Sequence, residues 1–222
     1  MREIFIKIVN LIFPTKCIIC KNSNTSLCES CFLEIPKHFK KQKKLEIEVF
    51  SFYDYQENRI KEILKQIKYH NEIEITKYFK DLISVFLLEN FSEYNNIFLI
   101  PIPLSENDKR LYNHTELFVK NINKENTNVK IISNLFIKNT TIKQAHTKSR
   151  DERLENVKNK IEINKKVFKR NFPENPEIDF QKTIFILIDD IATTGATLDE
   201  CKNVLEKHFY DKINVLAITI AS

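Results

Sequence analysis

Apolar residues in this chain follow two rhythms that take turns along its length. Glu46 to Tyr55 reads as a strand, and Ile60, Ile63, Leu64 and Ile67 then fall on one face of a helix. Glu74 to Phe91 predicts a second helix, with Phe79, Leu82, Ile83, Phe86 and Leu87 as its apolar positions and too many charges to span a bilayer. Ile97 to Ile100 predicts a buried strand closed by Pro101-Ile102-Pro103, Glu106 to Asn121 a helix, and Val129 to Ile137 a strand. Residues 138–150 lack apolar periodicity and predict a mobile loop. Arg150 to Lys158 predicts a short polar helix, and Arg170 to Lys182, with Pro173 and Pro176, a connecting loop. Ile184 to Ile188 is β-branched and apolar on both faces, as a strand covered on each side must be. A helix with apolar residues at Leu198, Cys201, Val204 and Leu205 follows, and Ile213 to Ala221 closes the chain as a strand. Strands alternating with helices imply an α/β fold whose largely parallel sheet offers ligand sites at its carboxyl edge.

Gly195 is the only glycine among 222 residues. It sits in Ile188-Asp189-Asp190-Ile191-Ala192-Thr193-Thr194-Gly195-Ala196-Thr197, between a strand and a helix. Free N–H groups and the positive end of the helix dipole meet at such a turn, and threonine hydroxyls add donors, so the segment predicts a phosphate site. Glycine there permits a positive φ and leaves no Cβ in a ligand's way. Two carboxylates beside a phosphate repel it, unless the ligand also carries hydroxyls or a divalent metal; a ribose phosphate meets that condition. The bland alternative is an ordinary strand–turn–helix with Thr197 as helix cap and solvated acids. A single glycine excludes a P-loop, which needs two, and a dinucleotide fingerprint, which needs three.

Cys17-Ile18-Ile19-Cys20 and Cys28-Glu29-Ser30-Cys31 are two C-x-x-C pairs, a spacing that brings four thiolates around one tetrahedral zinc in a structural role. Disulfide pairing is the alternative, but Met1 to Phe13 is interrupted by Lys7 and Asn10 and has no cleavage site, so a cytoplasmic chain without membrane insertion is expected. Cys201, on the apolar face of its helix, is expected to be buried.

At 42% hydrophobic and 29% charged residues the composition is that of a globular chain. The net charge of +5 is uneven: residues 1–45 carry +6, residues 138–170 carry +7, and the rest −8. The lysines Lys37, Lys40, Lys41, Lys43 and Lys44, interleaved with His38 and Phe39, read either as a nucleic-acid contact or as a solvated linker.

Phe185 to Thr197 matches, without a gap, the 5-phosphoribosyl 1-pyrophosphate (PRPP) motif of type I phosphoribosyltransferases: four apolar residues, two acids, two variable apolar residues, then Thr-Thr-Gly-x-Thr. Together with the cysteine pairs, Leu11-Ile12-Phe13-Pro14, Lys68-Tyr69-His70, Pro101-Ile102-Pro103-Leu104, Arg110-Leu111-Tyr112-Asn113-His114, and Gln144 through Arg153 with Asn156, it resembles the ComF family over essentially the whole chain. The family usually reads Arg-Gly-Phe-Asn-Gln where this chain has Arg110-Leu111-Tyr112-Asn113-His114, and phenylalanine where it has Ile161.

The resemblance implies an N-terminal helix and zinc-ribbon module with a basic tail over residues 1–45 and a type I phosphoribosyltransferase (Rossmann-like) domain over 46–222. It implies that Asp189 and Asp190, the catalytic pair, hold the ribose hydroxyls, and that Ala192, Thr193, Thr194, Gly195, Ala196 and Thr197 hold the 5-phosphate. Mg²⁺ is expected to accompany PRPP, and Arg153, with Lys143, Lys148 and Arg150, to lie in a basic loop over the pyrophosphate. The family's association with natural transformation implies a cytosolic factor in the uptake of single-stranded DNA, with a competence helicase or inner-membrane DNA channel as partner. An active phosphoribosyltransferase with an unidentified acceptor is the alternative.

Overall fold

The computed structural model describes residues 15–22, 24–104, 112–122, 128–138, 160–173, 178–209 and 213–222. The expected N-terminal helix with Leu11 to Pro14, Arg110-Leu111, the expected loop beyond Lys138, the expected helix Arg150 to Lys158, and Arg153 with its basic neighbours lie outside the described residues.

A six-stranded sheet runs through the molecule in the order β1-β2-β8-β7-β3-β4. Its strands are β1 (Lys40–Lys44), β2 (Ile47–Tyr53), β3 (Asn96–Pro101), β4 (Val129–Ile131), β7 (Thr183–Ile191) and β8 (Asn214–Ala221). All neighbours are parallel except β1, which folds back antiparallel on β2. Strands β5 (Phe136–Lys138) and β6 (Ile161–Ile163) form a separate antiparallel pair. The described helices are α1 (Glu29–Leu33), α2 (Asn58–Tyr69), α3 (Thr76–Asn90), α4 (His114–Val119), α5 (Lys165–Asn171) and α6 (Ala196–Phe209).

Strand periodicity divides the core in two. On β7, Ile184, Ile186 and Ile188 join Ile97 and Leu99 of β3 and Ile218 of β8 on the face covered by α2, α3 and α4. Phe185 and Leu187 point the other way, to Phe98, Ala217 and the Leu198, Cys201 and Leu205 stripe of α6. The apolar run therefore forms a central strand buried on both faces, and Cys201 is buried as expected.

The cysteine-bearing segment shares the first of these cores. Cys17, Leu27, Cys31, Phe32 and Ile35 are buried in it, and Phe32 packs against Tyr53, Tyr78 and Phe79 with ring centroids 6.1, 4.7 and 5.5 Å away. Strands β1 and β2 pair across residues 45/46. The lysine-rich segment is thus the edge strand of the main sheet, where charge blunts edge-to-edge association.

Three elements differ from the sequence expectation. Val129 to Ile137 is two strands in two sheets, because Asn134, at φ 58°, turns the chain between them. The expected loop at Arg170 to Lys182 is entered by the end of α5, with Phe172 buried against Phe98, Phe185 and Phe209. In the expected Glu106 to Asn121 helix, the described helix begins only at His114, where the Asn113 side chain accepts a hydrogen bond from the Thr115 N–H and caps it. Among the described residues no helix is long and apolar enough to cross a membrane.

Candidate functional site

Strand β7 continues three residues past its apolar run, so Asp189 and Asp190 lie within the strand. Adjacent residues of a strand face opposite sides, and the two acids are thereby sent into different surroundings. Asp189 faces the α6 side and lines a small, open pocket together with Ala192, Thr193, Thr194, Gly195, Ala196 and Thr197. Asp190 faces the other side and is buried, 7% exposed.

The pocket is built on the start of α6. The Asp199 N–H is bonded to the Gly195 carbonyl at 2.8 Å, which makes Gly195 the residue that opens the helix in place of Thr197. The Ala196 N–H is taken by Thr194 Oγ1 at 3.3 Å, while the amides of Thr197 and Leu198 precede the intrahelical ladder. Gly195 has φ +81°, the left-handed conformation its residue type predicts. Such a turn can accept an anion on its amides and hydroxyls, with Asp189 as a hydroxyl acceptor beside it.

Asp190 meets a cation from a different element. Lys68 Nζ, at the end of α2, forms an ion pair with Asp190 Oδ2, and His114 Nε2, at the start of α4, lies 3.6 Å from the same oxygen. Burial opposes ionisation of Asp190, but the interaction with His114 and the charge of Lys68 outweigh it and hold the carboxyl well below the usual carboxylate range. Asp189 shifts the opposite way: burial first, then the negative charge of Asp190, pushes its carboxyl well above that range. The Asp190 N–H donates to Asp189 Oδ1 at 2.8 Å. Tyr112 donates its hydroxyl proton to the Ile67 carbonyl, and Asn113 Nδ2 and Thr115 Oγ1 both donate to the Ile102 carbonyl. These bonds bring Lys68, the Pro101-Ile102-Pro103 segment, Tyr112 to His114 and Asp190 together at the carboxyl edge.

The part played by Lys68 and His114 was not legible in the chain. Lys68 carries two recoverable signals: it opens the Lys68-Tyr69-His70 segment of the resemblance, and it is the basic residue in the last turn of α2. His114 stands where the resembling family has an amide and is only 3% exposed.

The four cysteine sulfurs lie within 4.8 Å of one another and are positioned to bind a metal ion. Cys28 Sγ is 3.7 Å from both Cys17 and Cys20, close to the roughly 3.8 Å separation of sulfurs set tetrahedrally about 2.3 Å from zinc. Cys17 opens a tight turn in which its carbonyl accepts from the Lys21 N–H at 2.9 Å, and Cys28 and Cys31 sit at the first turn of α1. The Ser30 hydroxyl and the Cys31 amide pull the Cys28 thiol down to about 6, whereas Cys31, crowded chiefly by Cys28, is held well above the usual thiol range. A bound cation relieves that crowding, so the geometry fits structural zinc.

A strong chelator is expected to remove one zinc per chain and lower the thermal midpoint by roughly 10 °C or more, since the cysteine turn shares the main core. Reductant alone should leave the midpoint unchanged; the converse pattern would mean a disulfide pair. At the carboxylates, Lys68→Met strands a buried charge and should cost about 3 kcal/mol, the low end for a broken buried pair because Lys68 is 19% exposed. Adding Asp190→Asn should restore most of the loss. Asp189→Asn has the opposite sign: a raised carboxyl opposes folding once pH exceeds its ordinary value of 3.8, so the variant should melt higher than wild type at neutral pH. That gain should vanish below about pH 4, where the residue is protonated in both states. The lowered Asp190 carboxyl stabilises the fold above its ordinary value of 3.8 and gives that up as pH falls through its lower folded value.

A scan of protein-family models gives no match to this chain, and a search of curated proteins gives none either.

Proposed function

We propose that the chain is a ComF-like PRPP-binding protein with a type I phosphoribosyltransferase domain and a zinc module, acting in the uptake of single-stranded DNA during natural transformation. The observation that carries the reading is the tip of β7, where a carboxylate and a threonine-rich helix start line one pocket. In this reading Thr193 to Thr197 take the 5-phosphate and Asp189 the ribose hydroxyls, while Asp190, paired with Lys68, sets the charge beneath them. Mg²⁺ would supply neutralisation of the pyrophosphate, the chemistry that lets a carboxylate share a site with so anionic a ligand.

A second reading, an active phosphoribosyltransferase, draws on a cleft at the same edge. Pro103, Leu104, Tyr112, Asn113, Phe136 and Lys138 are among the residues lining an open cleft of about 650 Å³, room for an acceptor. The two readings separate on turnover: pyrophosphate release with nucleobase acceptors supports the enzyme, and binding without release supports the uptake factor.

Calorimetry with PRPP and Mg²⁺ is expected to show one site per chain, and Asp189→Asn to abolish it while leaving the fold intact; no binding to wild type would end the proposal. For DNA, Lys41 and Lys43 pair with Glu48 at 3.2 Å and Glu46 at 2.9 Å, but all four groups are exposed and such pairs are weak competitors for a phosphate. Changing Lys37, Lys40, Lys41 and Lys43 to alanine should flatten the salt dependence of single-strand binding by up to about 3 log units per log unit of salt. An unchanged slope would remove β1 as the contact.

A further inference from the structure

Gly195 is hemmed in by protein as well as open to the pocket. A Cβ placed on it would lie 2.7 Å from the Cβ of Lys44, the last residue of β1. The Lys44 ammonium donates to the carbonyls of Ala192 at 2.5 Å and Thr193 at 2.7 Å. Two residues on, the Glu46 N–H donates to Asp199 Oδ1 at 2.9 Å, on the first turn of α6. Between these contacts Leu45 is held at φ 56°, a conformation that branched side chains adopt only when their surroundings impose it. The β1–β2 turn therefore grips the Ala192–Asp199 segment at its start, its middle and its end.

The chemistry of that grip bears on an anionic ligand. The carbonyls of Ala192 and Thr193 carry partial negative charge and belong to residues that line the pocket. Left to rotate, they would compete with the amides for the pocket face and repel a phosphate. An ammonium bound to both fixes their direction and offsets their charge, and the turn keeps its amides and hydroxyls toward the pocket.

We propose that Lys44 is a positioning residue for the sugar-phosphate loop: it acts through the Ala192 and Thr193 carbonyls, and β1 is thereby part of the site. The ligand side of this inference rests on the PRPP reading above; the loop side does not.

The test uses the full chain with zinc bound. Lys44→Met keeps the aliphatic stem over Gly195 and removes the ammonium, and Lys44→Arg keeps the charge. Amide hydrogen exchange in the free protein is expected to quicken about tenfold at residues 193–198 in Lys44→Met, with exchange elsewhere and the thermal midpoint nearly unchanged; Lys44→Arg should recover most of the protection. Affinity for PRPP with Mg²⁺ should fall about tenfold in Lys44→Met and return in Lys44→Arg. Wild-type exchange at 193–198 in Lys44→Met overturns the inference, as does a quickening spread evenly over the chain. Should wild type fail to bind PRPP, the proposed function falls, and the exchange data still decide whether Lys44 sets the loop.

Discussion

A charge cannot remain between two apolar layers, and that constraint organises this protein. Strand β7 runs through the centre of the sheet with isoleucines on one face and Phe185 and Leu187 on the other, both covered. Its two aspartates are tolerated only at the tip, and even there the strand's alternation sends them apart. Asp189 comes out beside the start of α6, where there is space and a field of amides. Asp190 goes into the opposite core and persists as an ion because Lys68 and His114 come to it.

The same constraint explains how distant pieces of chain become neighbours. The end of α2 supplies Lys68, the cap of α4 supplies Asn113 and His114, and the β3 exit supplies the Ile102 carbonyl that Asn113 and Thr115 hold. Each is a polar group left at the boundary of an element and satisfied by another boundary. Together they form a hydrogen-bonded platform beneath the carboxylates, built by elements that adjoin in the fold but are far apart along the chain. On the other side of the sheet the β1–β2 turn plays the corresponding part for the threonine-rich turn.

The cysteine turn meets the fold at its apolar side. Phe32, directly after Cys31, stacks on Tyr78 and abuts Phe79, while the Tyr78 hydroxyl donates to the Leu27 carbonyl at 3.0 Å. A metal that closes the four sulfurs therefore also holds a wedge of the main core. The exposed cation pairs along β1 contribute little by comparison, since water screens them.

What the chain determined by itself was local. Apolar periodicity marks β2, β3, β7, β8 and the helices α2, α3 and α6, because burial on one stripe or two faces leaves a repeat in the residues themselves. The cysteine spacing and the lone glycine are equally local, since a tetrahedral thiolate set and a positive φ each demand particular residues at particular positions. Val129 to Ile137 misled because a two-residue turn at Ser133-Asn134 leaves the apolar count almost unaltered while sending the halves to different sheets. Only the tertiary structure decided which acid faces a pocket and which faces Lys68, and that Lys44 belongs to the Ala192–Asp199 turn more than to a basic surface. Those are contacts between residues 76 to 149 positions apart, where nothing in either local sequence encodes the partner; the packing of elements alone sets the distance at which two charges meet.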